Sequence, residues 1–255
     1  MKLTKMLLFV LLFSFLNISA GDKKTEKPSA DKIIEMLKKG NQRFVDGKST
    51  FPNIEISRRE LAANSDQGNY AYATVLSCSD SRVPAEFIFD AGIMDLFVIR
   101  VAGNVADTDE IGTIEYGLGH VNTPVLVVLG HSGCGAVKAV NAVVHGEKLQ
   151  LESNIPPLVD NIIPAVSAVK EKHSDLSQNE LVPYAIEQNV WQSVNDLFMK
   201  SAASRKLVED GKVKVIGGIY DIASGKVNWL DENKPMEILK AVNDNPQRSM
   251  NIYAE

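Results

Sequence analysis

The sequence predicts an α/β fold in which a mainly parallel central β-sheet is flanked by helices. Short apolar runs typical of buried strands alternate along the chain with segments of helical apolar spacing. Strands separated by helices form βαβ crossovers, which make consecutive strands parallel. The chain has 255 residues, of which 45% are hydrophobic and 23% are charged, so it is long enough to bury a full core.

The strand predictions rest on short runs rich in β-branched and aromatic residues. They cover Ala73–Leu76, Asp95–Val101, Pro124–Leu129, Val213–Ile219 and Lys226–Leu230. The third run is continuously apolar, as expected for a strand that is covered on both faces. Ser224 and Gly225 predict a turn into the last strand.

The helix predictions rest on apolar residues spaced three and four apart. They cover Asp31–Gly47, Ser57–Asn64, Thr108–His120, Gly133–His145, Leu158–Val169 and Ala185–Leu207. The last two are amphipathic and are expected to contact the core or another subunit. Residues 31–255 contain no internal repeat and no linker that would divide them, so we expect a single α/β domain.

The first twenty residues have the pattern of a secretory signal peptide. Lys2 and Lys5 precede the apolar run Met6–Leu16, and small residues follow near position 20. The apolar run spans roughly 16 Å of helix, about half of a hydrocarbon core, so we expect cleavage and no stable membrane insertion afterwards. The mature protein would be periplasmic or secreted, and residues 21–30 would form a flexible N-terminal tail.

The charge balance argues against a nucleic-acid partner. The chain has 27 Lys and Arg against 32 Asp and Glu, a formal net charge of -5, whereas nucleic-acid-binding domains carry basic surfaces. Two cysteines are too few for a disulfide scaffold. The composition therefore favours an acidic globular enzyme.

Two clusters of chemically active residues follow predicted strands. Cys78, Asp80 and Arg82 come after the first strand, and alternate side chains of an extended segment point the same way. His131 and Cys134 come after the third strand, in a glycine-flanked turn. In a parallel sheet both clusters lie at the carboxyl ends of strands, where α/β proteins place their sites.

Together Cys78, His131 and Cys134 form a set of two sulfur ligands and one nitrogen ligand, which suits zinc. Three protein ligands leave one tetrahedral position open, as catalytic zinc sites require. Asp80 could hydrogen-bond a bound water or take the fourth position itself, and Arg82 could hold it by a bidentate ion pair. Two alternatives remain open on the residues alone: a Cys78–Cys134 disulfide, and free buried thiols.

At these residues the chain resembles the β-class carbonic anhydrases, here of an exported bacterial type. The pattern Cys-x-Asp-x-Arg followed by His-x-x-Cys is highly specific. The similarity covers nearly all of the expected mature chain. It includes LKKGNQRF, CSDSRVPAE, DLFVIRVAGN, IEYGLGHV, VLVVLGHSGCGAVKA and VIGGIYDIASGKV.

The resemblance implies one Zn²⁺ per subunit, held by Cys78, His131 and Cys134. It implies that Asp80 and Arg82 form the catalytic dyad. The expected reaction is the reversible hydration of CO2 to bicarbonate and a proton, by attack of zinc-bound hydroxide on CO2. Asp80 would orient the hydroxide, and Arg82 would keep Asp80 ionised and off the metal.

The resemblance also implies a substrate pocket. One group of the family has a tryptophan three residues before the first cysteine, where this chain has Val75. The other, constitutively open group has a glutamine, a phenylalanine and a tyrosine. Phe97 and Tyr116 match the last two, and Asn69 stands at the glutamine position, one methylene shorter. The N–H of Gly135 would bind a substrate oxygen.

Family members are homodimers or larger dimer-based oligomers in which an N-terminal helix packs on the partner. The residues matching Asn69, Phe97 and Tyr116 would then reach the zinc of the neighbouring subunit. Two other functions remain open on the sequence: a zinc-dependent esterase or other hydrolase on the same scaffold, and a non-catalytic protein closed by a disulfide.

Overall fold

The structure is a computed structural model and describes residues 26–253. The predicted signal peptide, residues 1–20, and residues 21–25 of the predicted tail lie outside this range. At the start of the described chain, the Lys27 ammonium group donates to the carbonyls of Val121 at 2.6 Å and Asn122 at 3.0 Å. None of the helices between residues 26 and 253 has the length and apolar character needed to cross a membrane.

The predicted strands are all present. They are β1 (Ala73–Ser77), β2 (Leu96–Arg100), β3 (Val125–His131), β4 (Lys214–Tyr220) and β5 (Val227–Trp229). Within the described residues they form one sheet in the order β2-β1-β3-β4-β5. The first four strands are parallel, and β5 is antiparallel to β4. This confirms the predicted mainly parallel α/β sheet.

Helices account for most of the remaining chain. They are α1 (Ala30–Val45), α2 (Ile56–Asn64), α3 (Ala85–Ile88), α4 (Thr108–Gly119), α5 (Gly135–Val144), α6 (Ile155–Val159), α7 (Ile163–Lys172), α8 (Gln178–Lys200), α9 (Ala202–Glu209) and α10 (Lys234–Asn243). Short 3-10 helices cover Gln67–Asn69, Ala102–Asn104 and Asp160–Ile162.

The prediction of one helix over Ala185–Leu207 is wrong. The structure has two helices there, α8 and α9, which meet at Ser201. Ser201 has extended backbone angles, and its hydroxyl accepts a hydrogen bond from the Ser204 N–H, which begins the second helix. Apolar residues continue at helical spacing on both sides of this cap, so the spacing alone does not show the break. Leu158–Val169 is likewise divided between α6, a 3-10 turn and α7.

The sheet is covered by helices on both faces. Every residue of β1 and β3 is buried. Alternate residues of β3 contact different cores: Leu126 and Val128 pack with α4 and α8, whereas Val125 and Val127 pack with α1 and α3. β3 is therefore continuously apolar because it is buried on both faces, as the sequence suggested.

The strand order places a crevice beside β1. The chain leaves β1 for β2 on one side and then crosses to β3 on the other side. At such a switch point the connections after the two strands diverge, and a crevice opens at their carboxyl ends. The segments that follow β1 and β3 carry the two clusters singled out in the sequence.

A buried carboxylate ties the loop after α1 to the loop after α3. The Asp90 carboxylate accepts hydrogen bonds from the Thr50 and Phe51 N–H groups, each at 2.9 Å, and from the Arg43 guanidinium at 2.5 Å. Burial raises the pKa of Asp90, but these hydrogen bonds outweigh it, and the net pKa is lowered. The ionised form is therefore the one that stabilises the fold.

We expect Asp90→Asn to lower the free energy of unfolding at pH 7 by about 1–3 kcal/mol, since the amide cannot accept all of these bonds. The stabilisation by ionised Asp90 is complete above its unfolded pKa of about 3.9 and is lost as the pH falls through the lower folded pKa. Urea unfolding of the zinc-free protein at several pH values measures this. The difference between wild type and variant should shrink below about pH 4.

The exposed Asp46 at the end of α1 provides a control. We expect Asp46→Asn to change the free energy of unfolding by no more than about 0.5 kcal/mol at any of these pH values. Equal effects of the two substitutions would show that the buried hydrogen bonds of Asp90 contribute nothing specific.

Candidate metal centre

Three buried side chains meet at the carboxyl ends of β1 and β3. Cys78 directly follows β1, His131 is the last residue of β3, and Cys134 immediately precedes α5. The two sulfur atoms and a ring nitrogen of the histidine all lie within 4.8 Å of one another. Among the described residues, this is the one group of histidine, cysteine and acidic residues arranged in this way. The convergence predicted from the two strand ends is confirmed.

The hydrogen bonding of His131 defines which nitrogen is available. Nδ1 lies 3.1 Å from the carbonyl oxygen of Ser132, which can only accept, so Nδ1 carries the proton. Nε2 is buried and has no hydrogen-bond partner. Its lone pair is therefore free for a metal, and the bond to Ser132 fixes the ring orientation as in other metal-binding histidines.

The two cysteines are free and not bonded to each other. A hydrogen bond from the Cys134 thiol lowers the pKa of Cys78 to about 4, against the effect of burial. The N–H groups of Asp80 and Gly103 add to this, at 3.5 and 3.3 Å from the Cys78 sulfur. The same thiol contact, together with burial, raises the pKa of Cys134. The two pKa shifts run in opposite directions, so Cys78 is the cysteine of the pair whose thiolate form is favoured.

Asp80 and Arg82 form a bidentate ion pair beside this group. Arg82 Nε lies 2.9 Å from Asp80 Oδ1 and Arg82 Nη2 lies 2.6 Å from Asp80 Oδ2; the Arg82 backbone N–H also donates to Oδ1 at 2.9 Å. These contacts hold the pKa of Asp80 well below its usual range. Asp80 Oδ2 lies 4.0 Å from His131 Nε2. An ionised carboxylate thus stands next to the three ligands and is turned toward Arg82.

Arg100 positions this loop, although the sequence motifs gave no role to this residue. Arg100 ends β2 and donates to the carbonyl of Cys78 at 3.2 Å and to that of Asp80 at 2.6 Å. Its register partner on β1 is Ser77, the residue before Cys78. The sequence did contain a signal for Arg100, because it is a cationic residue at the carboxyl end of β2, and residues at the carboxyl ends of strands were the ones that identified Cys78.

Gly135 is the first residue of α5, next to the ligand Cys134. The first N–H groups of a helix have no partner within the helix and carry its positive partial charge. The Gly135 N–H group lies at the start of this helix, and its use for binding a substrate oxygen stays a prediction.

The other predicted pocket residues do not lie at the metal ligands of their own chain. Phe97 is paired with Thr74, four residues before Cys78, so it lies roughly 13 Å along the strand direction from the carboxyl edge. The rings of Phe97 and Tyr116 are 6.0 Å apart, and Tyr116 is 50% exposed. Asn69 ends the 3-10 helix that precedes β1. Their predicted role at a neighbouring subunit's metal stays a prediction.

The residues fit a zinc ion. Two thiol sulfurs and one neutral imidazole nitrogen are ligands that zinc prefers, and their spacing lets one small ion reach all three. The unpaired Nε2 is a buried polar atom that a metal would satisfy. Three protein ligands match a catalytic rather than a structural zinc site. With both cysteines free, the disulfide alternative is not what the structure shows.

Comparison with known proteins identifies the family. The family model described as carbonic anhydrase matches residues 73–227. Carbonic anhydrase 2 of Mycobacterium tuberculosis is 35% identical over 196 residues, which are 76% of this chain and 90% of that protein. The carbonic anhydrase of Mycolicibacterium smegmatis is 37% identical over 192 residues, 75% of this chain and 88% of that protein.

Solved structures agree with the sequence relatives. The β-carbonic anhydrase CcaA matches with a TM-score of 0.60 and 27% identity, over 78% of this chain and 88% of that chain. The β-carbonic anhydrase CafA of Aspergillus fumigatus matches with a TM-score of 0.60 and 29% identity, over 83% of this chain and 97% of that chain. With its cysteine and histidine ligands converging at the switch point of a mainly parallel sheet, the chain belongs to the β-class carbonic anhydrase family.

Proposed function

We propose that this protein is a zinc-dependent carbonic anhydrase that adds water to CO2 and gives bicarbonate and a proton. The observation that carries the proposal is the group of Cys78, His131 and Cys134, with an unpaired Nε2, beside an ionised Asp80. The substrate is a small molecule, in keeping with the family.

Zinc bound at these ligands supplies a Lewis acid that, in carbonic anhydrases with three histidine ligands, lowers the pKa of a coordinated water to about 7. The residues of this chain do the rest. Asp80 accepts a hydrogen bond from the attacking water and orients it. Arg82 keeps Asp80 ionised and turned away from the three ligands. The Gly135 N–H donates to an oxygen of the substrate.

The surroundings of the ligands suit an apolar substrate. Cys78 and Cys134 belong to a buried apolar cluster that includes Val105, Val137 and Ile162. Such walls exclude bulk water and strengthen the electrostatic contacts of Asp80. CO2 carries no charge and enters an apolar site at little desolvation cost.

The direct test measures CO2 hydration and zinc content on the same sample. We expect about one zinc per chain and a rate of CO2 hydration that rises with pH as the attacking water ionises. A zinc-loaded protein that cleaves esters efficiently and leaves CO2 unhydrated would contradict the proposal and favour a hydrolase.

The active unit is proposed to be a homodimer or a larger assembly of dimers. The support is the position of Phe97 and Tyr116, which lie away from the metal ligands of their own chain although the family pattern places such residues in the substrate pocket. A second subunit would bring these side chains to the zinc of its neighbour. Sedimentation of the purified protein gives the assembly size.

Complementation tests the shared pocket. Cys78→Ser removes the metal from one subunit, and Tyr116→Ala removes a pocket residue from the other. If Tyr116 acts across the interface, a mixed dimer of the two inactive variants contains one complete site and recovers up to about half of the wild-type activity per dimer. Mixed dimers without recovered activity would show that the pocket belongs to one chain.

Export to the periplasm or the outside of the cell is proposed from residues 1–20, which lie outside the described part of the chain. The support is the basic start and the apolar run Met6–Leu16. Cell fractionation with intact mass measurement should find a mature protein beginning near Gly21 outside the cytoplasm. Full-length protein in the cytoplasm would contradict export.

A further inference from the structure

The 3-10 turn Ala102–Asn104 contacts a metal ligand through its backbone. The Gly103 N–H donates to the Cys78 sulfur at 3.3 Å. Gly103 and Asn104 both have left-handed backbone angles, with φ of 75° and 46°. A Cβ at position 103 would lie 2.6 Å from Ile162 Cδ1 and would be strained by the left-handed backbone angle, so glycine is favoured there. This turn holds an uncommon conformation and needs contacts from outside to maintain it.

Helix α8 supplies those contacts with two side chains one turn apart. Asn189 Nδ2 donates to the carbonyl oxygen of Gly103 at 2.7 Å. The Ser193 hydroxyl lies 2.8 Å from the carbonyl oxygen of Asn104. Both side chains are buried. The carbonyls of Gly103 and Asn104 are thus held from the helix, although the single Ser193 hydroxyl proton is shared with the Asn189 carbonyl at 3.0 Å. These carbonyls belong to the two peptide units that follow the Ala102–Gly103 peptide, whose N–H points at the Cys78 sulfur, so holding them limits how far the turn can rotate away from Cys78.

The polar side chain of Asn189 lowers the stability of the fold. Its Oδ1 is buried and has no hydrogen-bond partner. A buried acceptor without a partner destabilises a protein, and a leucine of similar size would avoid that loss. The hydrogen bond from Asn189 to the Gly103 carbonyl is the contact that requires an amide side chain at this position.

We propose that Asn189 and Ser193 are positioning residues for the metal centre, acting through Gly103 on the Cys78 thiolate. The hydrogen bonds of their side chains go to backbone carbonyls and not to the Cys78 sulfur. By holding the Gly103 N–H against the sulfur, they orient Cys78 and slow the loss of zinc. The inference rests on the proposed zinc-dependent function.

The test compares two buried asparagines that differ in what they hold. Asn141 on α5 is also buried, donates to the Gln178 carbonyl at 2.7 Å and has an unpaired Oδ1, but it does not contact the turn at Gly103. Zinc transfer from Asn189→Leu and Asn141→Leu to a chromophoric chelator is measured beside thermal unfolding. We expect about tenfold or faster zinc loss for Asn189→Leu and near wild-type loss for Asn141→Leu.

Cobalt substitution gives a readout of Cys78 itself. The thiolate-to-cobalt absorption band should shift in Asn189→Leu and stay unchanged in Asn141→Leu. Should Asn189→Leu fail to fold, Ser193→Ala removes the second contact with little change in volume, and zinc loss should still be several-fold faster. If wild type binds zinc tightly and every variant loses zinc at the wild-type rate, the inference about Asn189 and Ser193 is overturned, but the proposed function is not. Wild type that binds no zinc would overturn the proposed function as well.

Discussion

Cys78→Ser is expected to abolish zinc binding and CO2 hydration together. Serine keeps the size of the side chain but offers a hydroxyl that stays protonated at neutral pH, whereas zinc binds the thiolate. Contacts with Cys134 and with two backbone N–H groups favour the thiolate form of Cys78. Removing it leaves only one sulfur and one nitrogen, which is too few ligands for a stable zinc site.

Zinc per chain, measured by elemental analysis, should fall from about one to near zero. Ser77→Ala is a matched control, since Ser77 is the adjacent buried residue and its hydroxyl has no hydrogen-bond partner. This control should keep its zinc and most of its turnover. Full turnover of a zinc-free Cys78→Ser protein would remove the metal from the mechanism altogether.

Asp80→Asn is expected to lower kcat/KM for CO2 hydration by about 10²-fold or more while zinc stays bound. The amide can still contact Arg82, but it lacks the negative charge that accepts and orients the proton of the attacking water. Because Arg82 lowers the pKa of Asp80 below its usual range, the carboxylate is ionised at neutral pH. The pH profile of activity should therefore show no step near neutral pH from the titration of Asp80.

Arg82→Gln tests the role of Arg82, which is to keep Asp80 ionised and turned away from the metal, separately from the role of the Asp80 carboxylate itself. Without the guanidinium, the pKa of Asp80 rises toward its usual value and the carboxylate is free to turn toward the metal, since Oδ2 is already 4.0 Å from His131 Nε2. We expect at least about tenfold lower activity with zinc held as firmly as in wild type. Exposed Arg59 provides the control substitution Arg59→Gln, which should be silent.

The double variant tests whether the two residues act as one unit. If Arg82 works only through Asp80, the Asp80→Asn, Arg82→Gln protein loses no more activity than Asp80→Asn alone. Additive losses would show that Arg82 contacts the substrate or acts independently of the carboxylate.

The central sheet could be predicted because its signal is local. β1 and β3 are buried on both faces, so burial selects continuous apolar runs whatever surrounds them. The metal ligands could be predicted for a related reason. They follow directly on two such runs, and parallel strands bring their carboxyl ends together.

Other features depend on contacts that the sequence does not encode locally. The break at Ser201 lies between two apolar helical segments, and only the capping hydrogen bond reveals it. The short helix α3 and the proline-containing start of α10 give weak helical patterns. Asn189 lies 86 residues after Gly103 in the sequence, so their contact could not be predicted from spacing. Asn69, Phe97 and Tyr116 were matched by resemblance alone, and their use requires a second chain.

The ion pair and the metal ligands differ in how freely they rearrange. Cys78, His131 and Cys134 are buried at strand and helix ends, so displacing them requires opening of the core, which is a slow and costly event. Arg82 has a side chain that is 53% exposed, and exposed side chains change rotamer within picoseconds to nanoseconds. The ion pair can therefore open and re-form on that timescale while the three ligands and the backbone that holds them stay in place.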